Sequence, residues 1–149
     1  MPLSIRAFER RDEPAVIALW RAAKLTRPWN DPSRDIARKA RVQPELFLVG
    51  EIDNRIVASV MAGYDGHRGW VNYLAVAPDQ QRRGYGTRLM AQVEIQLRAL
   101  GCPKLNIQVR LDNPAAVSFY ERLGFARDQA ISLGKRLEVD GPPAARDPA

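Results

Sequence analysis

At 149 residues, with 46% hydrophobic and 27% charged side chains, the chain has the balance of one soluble domain with its own core. No apolar run approaches the roughly 18 residues a membrane span needs, and a lone Cys102 excludes an internal disulfide. The formal charge of +6 selects anionic partners, either nucleic acid or a multiply phosphorylated small molecule.

The N-terminus, Met1-Pro2-Leu3-Ser4-Ile5-Arg6, lacks the unbroken apolar stretch of a secretory signal, so a cytoplasmic location is expected. Leu3–Phe8 alternates as a first strand. Asp12 then caps a helix whose Val16, Leu19, Trp20 and Ala23 recur at helical spacing. Asp31-Pro32 supplies the N-cap and first residue of a second helix over about 33–42. Leu46–Val49 and Arg55–Ala62 form a hairpin across Asp53-Asn54. The turn Gly63-Tyr64-Asp65-Gly66-His67-Arg68-Gly69 leads into a fourth strand, Trp70–Val76.

After Pro78, Leu89, Val93, Leu97 and Leu100 mark one face of a long helix stopped by Gly101-Cys102-Pro103. Leu105–Val109 reads as a fifth strand, and Asn113-Pro114 opens a helix with its apolar stripe at Ala116, Phe119, Tyr120 and Leu123. A last strand is expected near Ile131–Leu137. The Pro- and Ala-rich stretch from Asp140 to residue 149 reads as a disordered tail, which leaves residues 1–139 as one domain. The whole is a mixed α/β unit without internal repeats.

The segment from Leu74, Ala75 and Val76 through Gln81, Arg82, Arg83, Gly84, Tyr85, Gly86 and Thr87 runs strand, tight turn, helix start. Backbone N–H groups at a helix N-terminus carry partial positive charge, and glycine lets an anion approach them. Arg82, Arg83 and Arg88 add full charges. A dinucleotide fingerprint would need glycine where Leu89 stands. A P-loop would need Gly-Lys-Ser/Thr where the chain has Gly86-Thr87-Arg88.

Gln81-Arg82-Arg83-Gly84-Tyr85-Gly86 resembles the acetyl-CoA-binding motif of the GNAT N-acetyltransferases. Asn113-Pro114-Ala115-Ala116-Val117-Ser118-Phe119-Tyr120-Glu121-Arg122-Leu123-Gly124-Phe125 resembles that family's second cofactor-side motif. Arg27–Pro32, Gly63–Gly69 and Ser132–Leu137 are most similar to the bacterial YpeA-type branch. The resemblance implies a twisted, mostly antiparallel sheet of six to seven strands. It also implies about four flanking helices and a bulged fourth strand splayed from the fifth. The implied cofactor is acetyl-CoA, bound by Leu74, Ala75, Val76, Gln81, Arg82, Arg83, Gly84, Tyr85, Gly86, Thr87 and Asn113. The implied reaction is acetylation of an amine on a small molecule or protein.

Asn113 before Pro114 also reads as an ordinary N-cap. Tyr120 reads either as a core aromatic or, as the resemblance implies, as the acid that protonates the departing thiolate. The glutamate that the ribosomal-protein N-terminal branch uses as base is matched by Gln108, whose amide takes no proton at neutral pH. Tyr73, Asp65, His67 and Asp31 are the other candidates for a base. Trp29 and Tyr73 are expected to wall the acceptor site, with Asp31 or Asp65 recruiting an ammonium group.

With one histidine and one cysteine, no spacing suggests a metal site. No nucleic-acid motif is present, so neither nucleic acid nor membrane is an expected partner, while a homodimer through the C-terminal strand stays open. An acyl-CoA-binding sensor without turnover is the alternative reading.

Overall fold

The computed structural model describes residues 2–141. Strands β1 (Ser4–Ala7), β2 (Phe47–Ile52), β3 (Arg55–Tyr64), β4 (Gly69–Val76) and β5 (Leu105–Ile107) form one sheet in chain order. The first four are antiparallel and β5 runs parallel to β4. Helices α1 (Glu13–Ala22), α2 (Pro32–Lys39), α3 (Tyr85–Ala99) and α4 (Pro114–Arg122) flank it. The mixed, mostly antiparallel α/β architecture with four helices is thus observed. The sheet has five strands among the described residues, not six to seven, and none of their helices is long and apolar enough to cross a membrane.

Local chemistry explains most boundaries. Asp53 and Asn54 both adopt left-handed φ, 49° and 62°, giving a two-residue turn whose twist suits the flanking strands. Asp31 caps α2 by accepting from Ser33 N at 3.0 Å and Arg34 N at 3.2 Å. Asp12 does not cap α1. Its carboxylate accepts from Glu9 N and pairs with Arg6 at 2.7 Å, tying β1 to the chain that enters the helix. Beyond Met61, β3 outruns β2, and side chains replace the missing strand. Lys39 Nζ donates to Ala62 O, and Gln43 both donates to Tyr64 O and accepts from Tyr64 N.

Helices α1 and α3 cover opposite faces of the sheet. A Cβ on Gly50 would meet Ala58 on the next strand and Leu89 of α3. Ser59, the next residue along β3, points the other way and accepts from the Trp20 indole of α1 at 3.0 Å. Val16, Trp20, Val49, Val60, Leu89 and Val93 have no solvent exposure and fill the two layers.

Strand β4 carries one extra residue. Ser59 pairs with Ala75 and Met61 with Asn72, so two steps along β3 oppose three along β4. The irregularity centres on Tyr73, held at φ 54°. Pairing with β5 covers Gly69–Val71 only, after which the two strands part. The expected bulge and splay are both present, and β5 ends at Ile107, not Val109, because β4 has turned away.

The strand expected at Ile131–Leu137 is not formed. Ile131, Leu133 and Leu137 alternate as strand residues do, but all three are exposed and bury nothing. Gly134 interrupts the run. Polar anchors hold the segment as an extended strap: Lys104 to Asp128, Gln108 to Ser132, Arg136 to Asn30 and Arg38 to Asp140. Asp140, expected to begin a disordered tail, is therefore fixed. Residues 142–149 lie outside the described part.

Replacing Ser59 by Ala leaves the buried Trp20 N–H without its acceptor. Urea unfolding of Ser59→Ala is expected to show a loss of about 1–3 kcal/mol at unchanged slope; an unaltered midpoint would contradict this role.

Candidate active site

The splay exposes backbone. Ala77 N donates to Val57 O, toward β3. Strand alternation counted back from there turns the peptide groups of Val76 and Leu74 to the open edge, with Ala75 facing β3. Gln81 Nε2 reaches back to Val76 O at 3.3 Å, so the turn after β4 is tied to this edge.

The turn then gathers groups suited to an anion. Gly84 is the N-cap of α3 at φ 80°, a conformation that disfavours other residues, and a Cβ there would meet nothing within 4 Å. The first N–H groups of α3, those of Tyr85, Gly86 and Thr87, have no acceptor within the helix, and the space beside Gly84 is open. The first turn holds no acidic residue, and Gln81, Arg82, Arg83 and Thr87 are exposed around it. Arg88 differs from expectation, since its guanidinium donates to Leu3 O at 3.2 Å and faces β1. The 15-residue helix behind these N–H groups adds its dipole, and two guanidiniums beside it suit a pyrophosphate.

Gly86 is needed for packing. A Cβ there would lie 3.3 Å from the Phe119 ring of α4 and 3.7 Å from Val76. This contact brings the second motif against the first. Asn113 caps α4 by accepting from Ala116 N at 3.2 Å, which occupies its carbonyl and leaves its amide hydrogens to donate elsewhere. Tyr120 is 8% exposed, between Phe119 at 5.0 Å and Phe125 at 5.5 Å in edge-to-face contact. Burial pushes its phenol well above the ordinary value, so the hydroxyl keeps its proton across the neutral range.

On the acceptor side the expected residues separate into two groups. Tyr73 stacks on Trp20 with centroids 3.8 Å apart, and its hydroxyl donates to Asp35 Oδ2 at 2.6 Å. Burial first, and then this carboxylate, raise its pKa. Trp29 lies under the Arg110 guanidinium at 5.4 Å. Gln108 is exposed and donates to Ser132 Oγ at 2.5 Å. Asp31 uses its carboxylate to cap α2.

Asp65 and His67 sit at the tip of the β3–β4 hairpin. There Asp65 Oδ1 accepts from His67 N at 2.8 Å and Arg68 N at 2.7 Å, and these bonds lower its pKa. From Gly69 to Tyr73 is about 13 Å of strand, so the structure does not bring this turn to the bulge.

Asp35 and the Trp20–Ser59 pair were not among the expected site residues. Asp35 lies one helical turn beyond Asp31, a spacing that puts both carboxylates near one face of α2.

A cleft of about 750 Å³ lies elsewhere, between α1 and the β2–β3 turn, lined by Arg6, Asp12, Ala18, Glu51, Arg55 and Ala77. Its Arg6 and Arg55 are paired with Asp12, Glu51 and Asp79, and the Gln81–Thr87 cradle does not line it.

Known proteins align with this geometry. Residues 13–125 match the acetyltransferase (GNAT) family. A protein of Yersinia pestis (strain Pestoides F) described as an acetyltransferase is 52% identical over 138 residues, covering 93% of this chain and 98% of its own. The ribosomal-protein-S18-alanine N-acetyltransferase of Escherichia coli superposes with a TM-score of 0.72 at 26% identity, over 86% of this chain and 80% of that one. A paia N-acetyltransferase of Thermoplasma acidophilum, solved with coenzyme A, shares the fold with a TM-score of 0.71 at 16% identity, over 88% and 94% of the two chains.

The buried tyrosines set an alkaline limit. Their phenols hold protons more tightly folded than unfolded, so stability is full below the ordinary phenol pKa of about 10 and falls as pH rises beyond it. Denaturation followed from pH 8 to 11 is expected to show this fall in wild type and a shallower one in Tyr73→Phe. Equal slopes would contradict the assignment.

Proposed function

The chain belongs to the acetyltransferase (GNAT) family, and from that premise we propose that it acetylates an amine by direct attack, with Tyr120 as the proton donor to the leaving thiolate. Acetyl-CoA is the family's cofactor, and the donors around Gly84 fit it. When bound it supplies an acetyl group activated as a thioester. The observation that carries the reading is the open edge at Leu74 and Val76, five residues of chain before the cradle at Gln81–Thr87.

Each residue then has a task. The N–H groups of Gly84, Tyr85, Gly86 and Thr87, with Arg82 and Arg83, hold the pyrophosphate, and the Asn113 amide donates from α4. The backbone of Leu74, Ala75 and Val76 would align the pantetheine arm, and an edge N–H would polarise the carbonyl, an effect worth about 2.7–4 kcal/mol per donor in other enzymes. Tyr120 keeps its proton because burial disfavours the phenolate; with acetyl-CoA bound it would give that proton to the departing sulfur, and the proton lost by the attacking nitrogen would restore the phenol. Tyr73 is equally held neutral and is unsuited to act as base at neutral pH. Gln108 cannot act as one either, so the enzyme takes up the neutral fraction of its amine.

The acceptor is an amine of a small molecule or peptide, walled by Trp29 and Tyr73. Gln108 weighs against the acceptor named for the Escherichia coli relative. The protein is read as a cytoplasmic member of the YpeA-type branch, and exposed Ile131, Leu133 and Leu137 support a homodimer that light scattering would detect. That neither the neutral phenol of Tyr73 nor the amide of Gln108 can take the amine's proton favours one second reading, a sensor that binds acyl-CoA without turnover.

Thiol release from acetyl-CoA over a panel of amines separates the two. Tyr120→Phe is expected to lower kcat by about 10²–10⁴-fold while acetyl-CoA still raises Tm. Full turnover by Tyr120→Phe would remove the tyrosine from the mechanism, and silence of wild type on every amine would favour the sensor.

A further inference from the structure

The strap sets the carboxylate of Asp140 into a basic socket beside the proposed acceptor wall. Arg38 donates to Asp140 through both terminal nitrogens, Nη1 to Oδ2 at 3.0 Å and Nη2 to Oδ1 at 2.6 Å. Asp31 N donates to the same carboxylate at 3.2 Å, and Arg34 lies 3.9 Å from it. Arg136, on the strap and bonded to Asn30, acts electrostatically on Asp140 and on Tyr73. The Asp140 side chain has no solvent exposure, and its pKa is depressed to about 2, chiefly by Arg38. The fork geometry is that of two parallel bonds between a guanidinium and any planar carboxylate.

Two features connect this socket to the reaction. Arg38 Nη1 is 3.2 Å from Asp35 Oδ1, and Asp35 Oδ2 receives the Tyr73 hydroxyl, so one carboxylate separates the guanidinium from the bulge residue. A cleft of about 380 Å³, lined by Arg38, Gly134, Arg136, Leu137 and Glu138, opens beside it, large enough for a small metabolite. The strap itself is held by polar contacts, while its apolar Ile131, Leu133 and Leu137 face solvent. Its hold on the domain around Asp140 is therefore polar.

We propose that Arg38 is the carboxylate-binding residue of the acceptor site, that Asp140 occupies it as an internal stand-in, and that the acceptor is a small amine carrying a carboxylate, as an amino acid does. The proposal rests on the acetyltransferase reading. The incoming carboxylate exchanges with Asp140 on the same fork, and the strap end withdraws as the acceptor enters. Lysine at position 38 would keep the charge but lose the fork.

Two arms test this. In the first, N-acetylglycine, which has a carboxylate and no amine, is titrated calorimetrically into wild type, Asp140→Asn and Arg38→Gln. Tighter binding to Asp140→Asn and loss of binding in Arg38→Gln are expected, and equal affinity for all three would overturn the proposal whether or not acetyl transfer occurs.

In the second, transfer to amino acids is compared with transfer to their decarboxylated counterparts, lysine with cadaverine and histidine with histamine. Arg38→Gln and Arg38→Lys are expected to raise KM for the amino acid about 10–100-fold more than for the matched amine. Asp140→Asn is expected to lower KM for the amino acid. Equal effects on both members of each pair would refute the carboxylate site and leave the acetyltransferase reading standing. Absence of transfer to any amine would instead count against that reading. Circular dichroism of each variant separates loss of binding from loss of fold.

Discussion

A tyrosine held in left-handed backbone in the middle of a strand is the constraint on which the rest of this structure turns. For a residue with a Cβ that conformation costs about 1–2 kcal/mol, and it persists only because its surroundings fix it. The Tyr73 ring lies against Trp20, the Trp20 indole donates to Ser59, Ser59 reaches Tyr73 O at 3.4 Å, and Asp35 takes the hydroxyl. Each contact comes from a different element: α1, β3 and α2. The bulge they enforce turns β4 away from β5 and leaves peptide groups at Leu74 and Val76 without a strand partner, at the edge where the proposed mechanism calls for a donor.

The same device sets the division of labour around the site. Downstream of the bulge the chain is built to receive negative charge, through the α3 N-terminus and its flanking arginines, with α4 locked against Gly86 by Phe119. On the other side of the bulge, α2 and the C-terminal strap supply a second charged region in which guanidiniums and carboxylates already satisfy one another. Tyr120 and Tyr73 stand on these two sides, both kept protonated by burial. In the proposed mechanism Tyr120 supplies the proton for the leaving group, and the acceptor is taken up unprotonated.

Much of this was legible in the sequence, because local chemistry decides it. The Asp53-Asn54 turn, the Asp31-Pro32 start of α2 and the glycine turn at Gln81–Gly86 each follow from the conformational preferences of the residues themselves. The bulge was expected only by resemblance, since a tyrosine at positive φ leaves no local mark and the partners that hold Tyr73 lie 14 to 53 residues away. Asp12 read as a cap because nothing local tells that Arg6 will claim it. The strand expected at Ile131–Leu137 failed for the converse reason. Its alternation is a strand pattern, but a pattern needs a neighbour to bury against, and its residues bond instead through Ser132, Arg136 and Asp140. Asp35 and Arg38 carry no mark in the sequence, because charged residues on a short exposed helix look alike until the fold brings Tyr73 and Asp140 to them.

The most direct test of the account is the backbone itself. Amide hydrogen exchange at Leu74 and Val76, resolved by NMR with and without acetyl-CoA, should show at least one of the two amides protected on binding, together with those of Tyr85–Thr87 in the cradle. Protection in the cradle with no change at either Leu74 or Val76 would mean that the bulge does not hold the acyl group, and the mechanism built on it would fall.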